Sequence, residues 1–300
     1  MRVLVTGASG FLGGFVCREL CDAGHDVFAL VRRPGSAPPR TDEVVGDITG
    51  DRSALDAAVA GAAPDCVIHL AAEIASQRDA DRIHEVNVQG TRALLAACEA
   101  AGSPKFVFAS TVVTGDAGGA LLDETSELPV RTAYGRSKQE GERLVRESAL
   151  PGVVVRPSHV YGPGGWFVEE FVNRIRQPGR FAVIGDGRNL WDVVRVEDVA
   201  VAFRLAAESA ADGTTFHVAD DEPITFGDFV RLTAAAMCEK PPRSIPAWVA
   251  RLAAGSDPVA AVTRSARSSN ALIKRELGWS PRFPRAQEGV ADAVAKLPGS

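Results

Sequence analysis

Short uninterrupted apolar runs alternate with longer stretches in which apolar residues recur at helical spacing along the first half of the chain. Val3-Leu4-Val5 is the first run, and Phe15, Val16 and Leu20 follow it on one helical face. A second strand is expected over 26–31 and a short third one at Val44-Val45. Ser53 with Asp56 forms a capping-box-like start to a helix through Ala60. Cys66-Val67-Ile68-His69 reads as a fourth strand that exits through Leu70-Ala71-Ala72. A long helix is expected over 79–101. A fifth strand from Lys105 ends in Ser110-Thr111. Another helix starts near Tyr134 and runs to about Ala149, and a sixth strand covers Val153 to Arg156. Continuous apolar strands separated by helices imply an α/β class with a parallel sheet covered on both faces.

The second half is more broken. Pro157 to Gly165 is rich in breakers. Beyond it the pattern predicts a helix over 166–176, a strand over 181–184, a turn at Gly185-Asp186-Gly187, a strand over 191–196 and a helix over 198–208. Thr225 with Asp228 caps a helix through Met237. With no internal repeat and no long linker, this half reads as a lid built onto the first.

Composition narrows the classes. The 300 residues are 46% hydrophobic and 24% charged, as in an ordinary soluble globular protein. A net charge of −5 without a basic stripe leaves no footprint for nucleic acid. No apolar run reaches the length of a membrane span; Ile245 to Ala254 is short and carries Arg251. With the first strand expected from Arg2, no signal peptide is expected, and the expected location is the cytosol. The five cysteines are odd in number and scattered, and although Cys17 and Cys21 share a helix face they are expected to be buried small hydrophobes. The five histidines do not cluster in sequence, and no metal is expected.

In a parallel sheet ligands sit at the carboxyl ends of the strands, and Gly7, Val31, Asp47, Ala71 and Thr111 all fall at such ends. Thr6 to Gly13 places a glycine turn between strand and helix. Gly7 allows the tight turn, Gly10 lets the backbone approach a pyrophosphate, and Gly13 lets the helix pack on the strand. The helix N-terminus then offers N–H groups to phosphates. The second strand ends in Val31-Arg32-Arg33-Pro34 with no acid, so NADP(H) is expected, with Arg32 as the main contact to its 2′-phosphate. Asp47 either accepts from an adenine amino group or shapes a turn. Tyr134 and Lys138 stand one helical turn apart on one face. An ammonium beside a phenol favours the phenolate, which lowers the tyrosine toward working pH and fits it for acid–base work on a carbonyl or alcohol.

Together these residues resemble the extended short-chain dehydrogenase/reductases, the NAD-dependent epimerase/dehydratase group. The resemblance runs through Thr6 to Gly13, Asp47-Ile48, His69 to Ala72, Asn87 to Thr91, Ser110-Thr111, Tyr134 to Lys138, Arg156-Pro157, Tyr161 to Pro163 and Glu276 to Trp279. It implies a Rossmann-type, doubly wound parallel sheet over 1–156, to which 193–218 returns, and a small C-terminal substrate-binding α/β domain over 157–300. It makes Tyr134 the acid/base, Lys138 its pKa-lowering neighbour and ribose contact, Thr111 the catalytic hydroxyl, and Asn87 a supporting catalytic residue. The cofactor would rest on Gly7, Ser9, Gly10, Phe11, Leu12 and Gly13. Arg32, Asp47, Ile48, Leu70, Ala71, Ala72 and Ser110 would also contact it, with Pro157 and Ser158 beside the nicotinamide. A homodimer through helices 79–101 and 134–149 is also implied.

Two departures bear on substrate. Nucleotide-sugar members carry an arginine just before the Asp192 position, where this chain has Trp191, and an asparagine at the position of His159. Tryptophan cannot pair with a phosphate as arginine does. The runs from Val183 to Ala207 and from Phe216 to Ile224 are more similar to the 3β-hydroxysteroid and sterol-carboxylate dehydrogenase branch. The expectation is an NADP(H)-dependent reductase or dehydrogenase on an apolar, non-nucleotide small molecule, with His159, Trp166, Phe167 and Trp191 as pocket walls. The alternative is a nucleotide-sugar epimerase or dehydratase with tightly bound NAD. A non-catalytic dinucleotide sensor is disfavoured by the intact Thr111, Tyr134 and Lys138.

Overall fold

The computed structural model describes residues 1–74, 77–177, 179, 181–254 and 256–297. The chain begins with β1 (Arg2–Thr6), α1 (Phe11–Asp22), β2 (Asp26–Val31), β3 (Asp42–Val45), α2 (Arg52–Ala62) and β4 (Cys66–His69). The long helix that follows comes in three pieces: α3 (Ala80–His84), a π-helical turn over Glu85–Gly90, and α4 (Thr91–Ala100). Next come β5 (Lys105–Ala109), β6 (Leu121–Leu122), α5 (Ala133–Glu147), β7 (Gly152–Pro157) and β8 (His159–Tyr161). A second π-helical turn, Phe167–Val172, leads into α6 (Asn173–Ile175), β9 (Val183–Ile184), β10 (Leu190–Trp191), β11 (Val193–Arg195), α7 (Val196–Glu208) and β12 (Thr214–Val218). The chain continues through β13 (Ile224–Thr225), α8 (Phe226–Ala236), β14 (Ser244–Ile245), α9 (Ala247–Ala254), α10 (Ser256–Thr263), β15 (Arg267–Ser268), α11 (Ala271–Leu277) and α12 (Ala286–Ala295).

Seven strands form one parallel sheet in the order β3-β2-β1-β4-β5-β7-β12. The chain leaves β1 in one direction and returns on the other side at β4, so a crevice opens between their carboxyl ends. Strand alternation divides the core. Val3 and Val5 of β1 join Val16, Cys17 and Phe203 on one face, while Leu4 joins Leu55, Leu94 and Phe106 on the other. A third cluster, rich in aromatics (Tyr161, Phe167, Phe171, Trp191, Phe226, Phe229), lies in the second half of the chain. Cys17, Cys66 and Cys98 are buried as small hydrophobes, and Cys238 is exposed. No helix is long and apolar enough to cross a membrane among the described residues, nor do three or more metal-ligating side chains gather there.

Several local expectations are corrected. The cap of α2 is Asp51, which accepts from Ala54 N at 2.8 Å and holds the Ser53 hydroxyl at 2.6 Å. A carboxylate is the stronger acceptor, and Asp56 instead pairs with Arg52. The strand expected over 191–196 breaks at Asp192. Before the break Trp191 pairs with Ile224 of β13, and after it β11 pairs with β8. The strand expected over 181–184 shortens to Val183–Ile184. The loop after β5 is sewn to the far end of the chain, because β6 pairs with β15 and Ser265 O accepts from Ala117 N and Gly119 N.

Candidate active site

The first helix turn is built for close contact. Gly7 has φ +68°, and a Cβ there would sit 2.7 Å from Ala71 N. A Cβ on Gly13 would sit 2.1 Å from Gly7 O. Gly10, by contrast, would meet only Gly7 O, at 3.2 Å, so its open side faces the crevice. No side chain caps α1 at Gly10, and its first turn carries no acid. Free N–H groups and an open glycine fit a dinucleotide pyrophosphate. Ser9 is exposed beside them, and Phe11 and Leu12 are half-buried. Gly165 packs on the Phe11 ring, where a Cβ would come within 2.7 Å, so the loop after β8 closes on the start of α1.

Arg32 and Arg33 are exposed at the carboxyl end of β2. Glu43 of neighbouring β3 is spent on Gly35 N and Ala37 N. Asp47 shapes a turn, its Oδ1 accepting from Thr49 N and Thr49 Oγ1, each at 2.9 Å. Ile48 is 8% exposed and seats against Gly90. Leu70, Ala71 and Ala72 are half-buried at the crevice wall.

A buried relay ties this crevice to the π-helical turn. Thr91 Oγ1 donates to Asn87 O at 2.7 Å, so it accepts from His69 Nε2 at 2.9 Å. His69 Nδ1 then accepts from Thr6 Oγ1 at 2.6 Å, which itself accepts from Ala71 N at 3.1 Å. Burial, with Lys138 adding to it, pushes His69 down to about 3, so the ring stays neutral in this one tautomer. Asn87, placed on the π turn, is fully engaged. Its Oδ1 accepts from Glu73 N, and its Nδ2 donates to Glu73 O and to Ser137 Oγ. It clamps the loop after β4 to α5.

Thr132 caps α5 by accepting from Gly135 N at 3.0 Å. Tyr134, Lys138 and Glu142 then share one stripe. Lys138 is 4% exposed, donates to Ala109 O at 2.8 Å, and lies 5.2 Å from the centre of the Phe108 ring and 5.9 Å from that of Tyr134. Burial pushes Lys138 down to about 8, and burial pushes the half-buried Tyr134 up to about 12. The expectation that the ammonium lowers the phenol is not met in this form of the protein. Nζ is turned to a carbonyl and an aromatic face, and the loss of water around the phenolate prevails.

Two hydroxyls end β5, and they point to different partners. Ser110 Oγ donates to Glu142 Oε1 at 2.6 Å. Glu142 is 1% exposed and accepts twice from Arg156, at 2.7 Å each. Thr111 Oγ1 donates to Pro157 O at 3.1 Å and accepts from Val113 N at 2.9 Å, which ties the ends of β5 and β7 together. Beyond Pro157, Ser158 is buried with no partner for its hydroxyl. His159 stacks on Trp191 at 4.2 Å and 7°. Burial, with Arg264 adding to it, holds His159 well below the usual histidine range. Trp191 is 3% exposed and packs against Phe226 and Phe171, so it backs His159 rather than standing open. Trp166 is half-buried and donates to Val160 O at 2.6 Å.

Sequence reasoning passed over Glu142, although its spacing from Tyr134 and Lys138 announces a shared face. It also passed over Arg264, which is buried beside His159 and Gly115. No local pattern marks that residue.

The NAD dependent epimerase/dehydratase family matches residues 3–219. A 3-diazoavenalumate denitrifying reductase from a Streptomyces species is 32% identical over 97% of this chain and 99% of the relative. A 2-alkyl-3-oxoalkanoate reductase from Stenotrophomonas maltophilia is 32% identical over 79% of this chain and 76% of its own length. The mouse sterol-4-alpha-carboxylate 3-dehydrogenase, decarboxylating, is 29% identical over 83% of this chain and 72% of the relative. Among solved structures, a UDP-glucose 4-epimerase from Thermus thermophilus in complex with NAD superposes with a TM-score of 0.85, at 27% identity over 100% of both chains.

Proposed function

Since the chain belongs to the NAD dependent epimerase/dehydratase family, as an NAD(P)-dependent oxidoreductase of the extended short-chain dehydrogenase/reductase type, we propose a specific activity for it. It is an NADP(H)-dependent reductase or secondary-alcohol dehydrogenase for a non-nucleotide, largely apolar small molecule. The cofactor unit spans 1–156 with 193–218 added, and the rest of 157–300 closes over the substrate.

A bound nicotinamide supplies the hydride. Tyr134 hands its proton to the carbonyl oxygen as charge gathers there. Held protonated by burial, the phenol is an acid at neutral pH, the role that reduction requires. Lys138 fixes the geometry from Ala109 O and supplies the positive charge that offsets the phenolate once the proton has left. Thr111 turns its hydroxyl from Pro157 O to the same substrate oxygen. Asn87 is a positioning residue, since its amide is used up on Glu73 and Ser137. Arg32, exposed at the end of β2, pairs with the 2′-phosphate.

The observation that carries the reading is the buried Trp191 stacked on His159 where nucleotide-sugar members place a phosphate-gripping arginine. The likeness to a UDP-glucose 4-epimerase favours the second reading, a nucleotide-sugar epimerase or dehydratase that keeps NAD. Denaturing the purified protein and identifying any released nucleotide separates the two. An empty protein that then binds NADPH in preference to NADH supports the reductase, and stoichiometric NAD that resists removal overturns it.

A further inference from the structure

Arg264 follows α10 and is 4% exposed, a guanidinium with five N–H donors sealed inside the protein. Its acceptors are few. Nη1 donates to Gly115 O at 3.2 Å, and Nη2 lies 3.3 Å from His159 Nδ1. That nitrogen is closer, 2.9 Å, to the Asp192 carbonyl oxygen, which can only accept. The shorter contact puts the ring proton on Nδ1, which then has no lone pair to offer Arg264. Nε has no partner. Asp116 is spent on Gly118 N and Ser265 N, and buried Asp192 lies near enough to offset part of the Arg264 charge, although its Oδ2 accepts no hydrogen bond from the guanidinium. The guanidinium therefore keeps one edge, Nε and Nη2, with two N–H groups unmatched. Leaving a buried charge so poorly matched is expensive unless something else completes it.

The residue is held beside the loops that carry the candidate site. Asn189 Nδ2 donates to Val262 O and Arg264 O, and Ser265 N donates to Asp116 Oδ1, so the backbone is fixed on both sides of Arg264. Its two neighbours come from the active-site rim. Gly115 lies on the loop that leaves Thr111, and His159 lies just past Pro157. Ser158 Oγ, on the residue before His159, is also buried without a partner. Unmatched donors on Arg264 and Ser158, on either side of His159, suit an anionic group.

We propose that Arg264 anchors a carboxylate of the substrate through its Nε and Nη2 edge, so that the carbonyl compound taken by this site is a keto acid rather than a neutral ketone. This rests on the reductase reading above. The planar fork matches a carboxylate with two parallel hydrogen bonds, which the carboxylates already near Arg264 do not supply.

The test uses the full chain saturated with NADP⁺ and two probes, 4-oxodecanoate and its methyl ester, titrated by calorimetry. The wild-type protein is expected to bind the acid about 10-fold tighter than the ester, the lower end of what charge-assisted hydrogen bonds supply. In Arg264→Gln that preference falls to near unity, and Arg264→Lys keeps part of it. Equal affinity for acid and ester in the wild type, no binding of the acid, or a preference that survives in Arg264→Gln overturns the proposal. If Arg264→Gln does not fold, the wild-type ratio and Arg264→Lys decide. Selective binding of the acid with no NADPH consumption on either probe would sink the reductase reading and leave the anchor standing.

Discussion

Lys138 should cost the protein stability, and replacing it with methionine should make the cofactor-free chain more stable while removing turnover. The ammonium is 4% exposed, and burial pushes it from its ordinary value of 10.5 down to about 8. That displacement corresponds to a penalty of ~3 kcal/mol on the charged form at neutral pH. Methionine fills a similar volume without charge, but it leaves Ala109 O without its donor, which returns ~1 kcal/mol. The net gain is ~2 kcal/mol, or ~3 °C in melting temperature for a chain of this length. The folded lysine loses its proton above about pH 8, and the unfolded one above about 10.5. Between these values the unfolded state binds more protons, so wild-type stability rises with pH relative to the variant. The gap of Lys138→Met over wild type should narrow by ~1.3 kcal/mol between pH 7 and pH 9, and reverse by pH 10. Denaturant titrations of both proteins over this range read it directly, and other titrating groups cancel in the difference. A variant less stable at pH 7, or a gap that does not move with pH, would show that the buried Lys138 charge does not cost stability.

Arg32→Ala should weaken NADPH by ~10- to 100-fold and leave NADH nearly unchanged, since only the 2′-phosphate contact is lost; equal loss for both nucleotides in fluorescence titrations would remove Arg32 from that role. Glu142→Gln should destabilise the chain by ~3 kcal/mol, because it strips a buried partner from Arg156. Burial alone would raise the Glu142 carboxyl, but the bonds from Arg156 and Ser110 outweigh it and hold it below its ordinary value. Its contribution is therefore present above the unfolded carboxyl range and lost as pH falls through the folded value. The stability difference between wild type and Glu142→Gln should close in acid, and a difference that persists there would contradict the assignment.

The parallel sheet was legible because its signals are local. Gly7 and Gly13 are glycines for reasons of φ and close approach, and Tyr134 with Lys138 declares a helix face by spacing. What stayed hidden depends on partners far away in sequence. Asn87 is expected to play a supporting part, but which groups it supports shows only once Glu73 and Ser137 are seen to take its amide. Arg264 carries no local pattern, and its contacts, Gly115 and His159, lie 149 and 105 residues away. The direction of the Tyr134 shift was misjudged because pairing with Lys138 is written in the spacing, whereas the loss of water around the ring is not. The cap of α2 went to Asp51 because a carboxylate two residues upstream outcompetes a serine hydroxyl.

In the proposed reductase, Tyr134 donates the proton and NADP(H) is the cofactor. Tyr134→Phe separates the two roles, with NADPH affinity and turnover measured side by side on the best substrate from a panel of ketones and keto acids. Affinity should stay within ~3-fold while turnover falls by ~10²- to 10⁴-fold, the span of general acid catalysis. Turnover that survives within ~10-fold of wild type, well short of that span, would contradict the account.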